Sequence, residues 1–179
     1  MSLFLAQRRA LARGEVIAYP TEAVWGFGCA PDNELGLQRL LQLKQRDWRK
    51  GLLLVAASIE QLQHYINFDV EQIKQLKQHW PASTTYVFRH NQQVSELLSG
   101  GRETLAVRVS KHPIVKLLCQ QTGALVSTSA NASGQAPIKS QFALMRQFGF
   151  EAKQIVPGAL GGAPGVSKII DWDSGEQLR

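Results

Sequence analysis

Four stretches of the sequence carry side chains whose types and spacing suit chemistry. Lys44-Gln45-Arg46, followed by Arg49-Lys50, gathers cations where a helical pattern gives way to an apolar run. Cations at a helix C-terminus complement its dipole for roughly 0.3–1 kcal/mol each, which is a sufficient structural reason for them. Held near a sheet edge, they also suit a polyphosphate, which arginine meets as a fork and lysine as a point charge. Ser127-Thr128-Ser129-Ala130-Asn131-Ala132-Ser133-Gly134 follows the apolar Ala124-Leu125-Val126 directly. Hydroxyls and an amide can read a zwitterion or an adenine edge without adding charge, although Ser/Thr-rich turns are common. Residues 20–28 leave a strand through Pro20 and run into glycines, and the Thr21 hydroxyl there can donate and accept. Residues 157–167 are glycine-rich and suit a close backbone approach to an anion, a lid or a plain turn.

Other chemistry has no foothold. There is no G-x-x-x-x-G-K-[ST] loop, no G-x-S-x-G elbow and no H-E-x-x-H pair. His64, His79, His90 and His112 are scattered. Two cysteines, Cys29 and Cys119, make neither a disulfide framework nor a zinc site of ordinary spacing. The four stretches together offer a cleft for phosphates and a small polar partner, without naming a reaction.

The elements that must position these groups follow from the patterning. The chain has 179 residues, 44% hydrophobic and 19% charged, which fits one domain and excludes disorder as the main state. No window approaches ~18 consecutive apolar residues, so no membrane span is expected. Residues 1–13 show no secretory signal, and a cytoplasmic location is expected. The net charge of +6 favours an anionic partner. Helices are expected from a Ser2 cap to Arg13, after an Asp32 or Asn33 cap, after Ser58, from Asp69 to Trp80, and over 112–122 and 141–148. Strands are expected at 15–19, 52–57, 84–88, 104–109, 124–128, 154–156 and 166–171. Uneven alternation predicts an α/β fold with a twisted, mixed, open sheet and flanking helices, not a regular doubly wound sheet.

Five motifs in order then make a family resemblance. Thr21-Glu22-Ala23-Val24-Trp25-Gly26, Lys44-x-Arg46, Leu105-Ala106-Val107-Arg108-Val109, Ser127-Thr128-Ser129-Ala130-Asn131-x-Ser133-Gly134 and Ser167-x-Ile169 resemble the YrdC family, in its short bacterial form. The resemblance implies a single YrdC-like domain over residues 1–179 with a positively charged concave cleft. It implies a nucleotidyltransferase that makes L-threonylcarbamoyl-AMP and pyrophosphate from L-threonine, bicarbonate and ATP. A tRNA-modification transferase complex would pass the threonylcarbamoyl group to the adenosine beside the anticodon of tRNAs reading codons that begin with A. By motif, Lys44, Arg46 and Lys50 would bind the triphosphate, and Thr104, Asn131, Ser140 and Arg179 would line the nucleotide site. Thr21, Arg108, Ser129 and Ser167 would hold threonine, with Arg108 taking its carboxylate as a fork. Mg²⁺ would arrive on the phosphates, since no carboxylate cluster offers a cage.

The sequence departs from the family pattern at Asp47, at Ala82-Ser83, at Val166, and at Val55, where longer relatives place a histidine. Asp47 is expected to weaken phosphate binding or to orient Arg46, and Ala82-Ser83 to loosen a turn. Two other readings stand beside the enzyme. One is an RNA-binding or ribosome-maturation protein using the basic cleft for phosphate backbone, and direct tRNA contact fits the same charge. The other is a carbamoyl-transfer module like that of hydrogenase maturation proteins.

Overall fold

Alternation along the strands sets the layers, because successive side chains point to opposite faces. The computed structural model describes residues 4–165 and 167–179. The expected Ser2 cap and the Val166 departure lie outside the described residues. The first helix, α1, spans Leu5–Ala12. A hairpin follows, β1 (Ile17–Pro20) and β2 (Trp25–Gly28). The chain continues through α2 (Glu34–Lys44), β3 (Leu53–Ala56), α3 (Ile59–Leu62), α4 (Val70–His79) and β4 (Thr84–Arg89). It ends with α5 (Glu96–Ser99), β5 (Thr104–Val109), α6 (Pro113–Thr122), β6 (Leu125–Ser129), α7 (Gln141–Phe148) and β7 (Lys168–Asp171).

The seven strands form one sheet in the order β1-β2-β6-β3-β5-β4-β7. β3–β5 and β4–β7 are parallel and the other pairs antiparallel, so the sheet is mixed and open as expected. Ile17, Tyr19, Val55 and Leu125 pack with Ala10 and Leu11 of α1 and with Val115, Leu118 and Cys119 of α6. Ala18, Leu54, Ala56 and Val126 belong to the opposite core, with Leu37 and Leu40 of α2, Leu76 of α4 and Leu144 of α7.

The first face is covered only at one end. Beyond α1 and α6 it presents Leu53, which lies opposite Ser127 on one side and Ala106 on the other, and Val87, which lies opposite Ala106. Arg108 is opposite Val55, at the boundary between the covered and the open half. That open half is the floor of the candidate site.

Several expectations are corrected. β2 is not among the expected strands, because Gly26 and Gly28 lower strand propensity. Glycine is required there by packing: a Cβ on Gly28 would lie 2.6 Å from the Val126 carbonyl oxygen and 2.7 Å from the Tyr19 ring. The expected strand at 154–156 is a 3-10 turn (Ala152–Gln154) followed by one isolated parallel bridge, Ile155 to Ala18. α5 is not among the expected helices. Asn33, not Asp32, caps α2, accepting from Gly36 N at 2.9 Å. The turn with Ala82-Ser83 carries two hydrogen bonds, Trp80 Nε1 donating to Thr84 O at 2.9 Å and Ala82 N to Val109 O at 3.1 Å.

Candidate active site on the open half of the sheet

The open floor is the base of a cleft of about 440 Å³. Six cationic side chains line it, Lys44, Arg46, Lys50, Arg102, Arg108 and Arg179, and among the described lining residues Glu22 is the one acid.

Lys44 is the last residue of α2, and it is buried at 3% exposure. Its ammonium does not merely complement the helix end. It donates to Ser129 O at 2.5 Å, Asn131 O at 2.8 Å and Asn131 Oδ1 at 3.1 Å. Three N–H donors thus meet three neutral oxygens of the loop after β6. Burial, and then the charge of Arg46, bring the ammonium down to about 8. The loop is tied further by Ser129 Oγ to Asn131 Oδ1 at 2.6 Å, Asn131 Nδ2 to Gln135 O at 2.6 Å, and Ser133 N to Lys44 O at 2.8 Å.

Arg46 reaches the cleft because α2 ends abruptly. Gln45 is left-handed (φ 49), and Gln45 N and Arg46 N bond back to Gln42 O and Leu41 O. The Arg46 guanidinium then donates to Gly51 O at 2.8 Å, which aims it across the start of β3. Burial, then Arg179 and Arg102, hold Arg46 below the ordinary guanidinium range. Burial and Arg108 do the same to Arg179. These cations face one another with no acid between them, which is the electrostatic condition for drawing in a polyanion. Asp47 does not orient Arg46: it caps the 3-10 turn Trp48–Lys50 through Arg49 N at 3.0 Å and pairs with the Arg49 side chain at 3.6 Å.

Arg179 is held at the rim by a segment that returns along β7. Ile169 N donates to Arg179 O at 3.1 Å, Leu178 N donates to Ile169 O at 2.8 Å, and Ile170 bridges Gln177. Its guanidinium donates to Ser167 O at 3.1 Å and Ser167 Oγ at 3.4 Å, and Thr85 Oγ1 donates to Ser167 Oγ at 3.3 Å.

Opposite stands the turn of the β1–β2 hairpin. Thr21 donates both its N–H (3.1 Å) and its hydroxyl (2.7 Å) to Val24 O, so its hydroxyl oxygen is left to accept. Glu22 is buried; Oε1 accepts from Ser110 Oγ at 2.6 Å and Oε2 lies 3.5 Å from Arg108 Nη2. Burial pushes the Glu22 carboxyl up, but Arg108, Ser110 and its own backbone together hold it below the usual range. Part of the glycine-rich stretch is tied to this turn. Gly161 N donates to Thr21 O at 3.0 Å and Ala163 N to Glu22 O at 2.7 Å, so it is a strap pinned over this turn.

The structure thus gathers Thr21, Lys44, Arg46, Lys50, Thr104, Arg108, Ser129, Asn131, Ser167 and Arg179 around one cleft. Ser140 is not among them. It is exposed, and its hydroxyl caps α7, accepting from Ala143 N at 3.1 Å. Arg102, which belongs to none of the sequence motifs, lines the cleft, and so does Glu22, to which the motif assigns no role. Among the described residues no group of three His, Cys, Asp or Glu could hold a metal ion, and no helix is long and apolar enough to cross a membrane.

Fold and site together define an α/β protein whose half-covered mixed sheet floors a cleft lined by six cationic side chains, one of them the buried Arg108 beside Glu22. The family model for Sua5/YciO/YrdC proteins, described as telomere recombination, matches residues 9–179, and the chain belongs to that family. A threonylcarbamoyl-AMP synthase of Marinobacter nauticus is 47% identical over 183 residues, covering 100% of this chain and 95% of that protein. One of Serratia proteamaculans is 47% identical over 174 residues, covering 95% and 92%. The structure of P. abyssi Sua5 complexed with L-threonine superposes with a TM-score of 0.82 at 28% identity, over 96% of this chain and 52% of that one. The chain therefore spans about half the length of the P. abyssi protein. E. coli YciO, at 21% identity over 99% of this chain and 88% of that one, shares the fold with a TM-score of 0.80.

Proposed function

We propose that the cleft is the active site of a threonylcarbamoyl-AMP synthase, forming L-threonylcarbamoyl-AMP and pyrophosphate from L-threonine, bicarbonate and ATP. The observation that carries this reading is the pairing of two unlike subsites in one cleft. Arg46, Arg102 and Arg179 face one another without an acid, while Arg108, next along the cleft from Arg179, is the cation that has an acid beside it, Glu22. A pure binder of RNA backbone has use for the first subsite and none for the second.

In this reading Arg46, Lys50, Arg102 and Arg179 hold the triphosphate. Thr104 and Asn131 line the nucleotide, and Ser140 is left out. Lys44 acts mainly by holding the 129–131 loop, with its charge close behind the phosphates. Arg108 takes the threonine carboxylate, with Thr21, Ser129 and Ser167 offering hydroxyls. The N-carboxylate of threonine attacks the α-phosphorus and pyrophosphate leaves. Such a displacement depends on positioning and charge neutralisation more than on a protein base. Magnesium enters with ATP as part of the substrate, because Glu22 is already engaged by Ser110 and Arg108. The adenylate would pass to a tRNA-modification transferase complex, and the same basic rim suits direct contact with tRNA. The test is pyrophosphate release from Mg–ATP with both threonine and bicarbonate and with each omitted. The expected result is release only with both; equal release without threonine would overturn the proposal.

A further inference from the structure

Glu22 could be read as a simple counter-charge for Arg108, but the geometry is wrong for that. A charge-assisted arginine–carboxylate pair closes to about 2.7–2.9 Å and is often bidentate. Here the approach stops at 3.5 Å, and Glu22 Oε2 and Arg108 Nε are both buried without a hydrogen-bond partner. The carboxylate is held back by a chain of bonds running from the start of α6. His112 N donates to Ser110 Oγ at 3.1 Å, which fixes that hydroxyl to donate to Glu22 Oε1 at 2.6 Å. The main chain of Glu22 is fixed from the other side by the strap, through Ala163 N to Glu22 O at 2.7 Å. The His112 ring donates to Ala159 O at 3.1 Å and so pins the strap to the same helix start. Gly161 is packed so closely that a Cβ would lie 3.0 Å from Glu22 Cα and 3.1 Å from His112 Cδ2.

We infer that Glu22 is a positioning residue, kept by Ser110 and the strap in a slack pair that orients Arg108 while leaving its guanidinium open to an amino-acid carboxylate. A closed pair would satisfy Arg108 from behind and compete with that carboxylate. With no carboxylate at position 22, nothing on that side would hold the guanidinium in its orientation. The inference rests on the assignment of Arg108 to the amino-acid subsite.

Two variants test it in the full chain. Ser110→Ala keeps both charges but frees Glu22 to close on Arg108. Glu22→Gln keeps the acceptor for Ser110 but turns an amide donor toward Arg108. Leaving a buried polar group mispaired predicts a rise of roughly 5- to 50-fold in the KM and calorimetric Kd for L-threonine in each variant. The KM for ATP should stay within about twofold, and circular dichroism and Tm should show a folded chain. The double variant should be less than additive, since both changes act on one pair. A counter-charge role predicts the opposite for Glu22→Gln, a tighter threonine Kd, and silence for Ser110→Ala; either result would overturn the inference. A loss shared equally between threonine and ATP would also overturn it. If Glu22→Gln does not fold, Ser110→Ala decides alone. Wild-type protein that shows no threonine-dependent pyrophosphate release would instead refute the proposed reaction, so the two failures are distinguishable.

Discussion

Replacing Lys44 by methionine should change how stability varies with pH, and not only its level. The Lys44 ammonium is buried among neutral oxygens of Ser129 and Asn131, so nothing nearby compensates its charge. Burial first, and Arg46 second, take its pKa from 10.5 in the open chain to about 8 in the fold. Between those values the unfolded chain holds the proton that the native state releases. Stability must therefore rise with pH in that window, by at most ~1.4 kcal/mol per pH unit. Integrated from the two pKa values, the wild type should gain roughly 1 kcal/mol over Lys44→Met between about pH 7 and pH 9, and ~3 kcal/mol across the whole window. Burial pushes the Cys29 and Cys119 thiols up to about 12, which acts with the opposite sign: their stabilisation is lost as pH rises from 9.0 toward 12. Both proteins share those thiols, so they cancel in the difference. The variant leaves Asn131 O without a donor, at ~1 kcal/mol or more, while Ser129 O keeps Asn131 N and Asn131 Oδ1 keeps Ser129 Oγ, so the slope is the diagnostic quantity and not the offset. Urea unfolding of both proteins across the pH range reads it directly. Stability curves that run parallel would refute a buried, uncompensated charge at Lys44.

Other substitutions separate the subsites. Arg46→Ala and Arg179→Ala should each raise the KM for ATP on the order of tenfold or more, with a smaller effect on threonine; Arg179→Ala keeps the backbone pairing to Ile169 and should barely move Tm. Gly161→Ala puts a methyl 3.0–3.1 Å from Glu22 and His112, so the strap must shift, and the KM for threonine should rise more than that for ATP. Asp47→Ala removes the cap on the 3-10 turn and should cost about 1 kcal/mol in urea unfolding while leaving the KM for ATP within about twofold.

What the sequence discloses here is mostly local. Asp69 and Gln72 form a capping box within four residues, and the apolar runs at β3, β5 and β6 need no distant partner to be read as strands. Ser140 directly precedes a helical pattern, and that local cap position is where the structure uses it, not the nucleotide site that motif matching suggested. β2 escaped because the glycines that make its packing fit also erase its strand propensity. The roles of Lys44 and Glu22 depend on partners 85 to 88 residues away, at Ser129 and Ser110, and no spacing rule connects them. The sequence does not reveal that two N–H groups of the glycine-rich stretch, those of Gly161 and Ala163, are taken by the Thr21 and Glu22 carbonyls. Arg102 lies between glycines and Glu103, where composition shows surface charge and only the folded cleft shows its neighbours Arg46 and Gly51.

The most direct measurement of the central claim is the identity of the product. Purified protein would be incubated with Mg–ATP, L-threonine and isotopically labelled bicarbonate, and the nucleotides separated and weighed by mass spectrometry. The account predicts an adenylate that contains both threonine and one labelled carbon, formed in step with pyrophosphate. An adenylate of threonine without the labelled carbon, or pyrophosphate with no adenylate under conditions that preserve one, would contradict it.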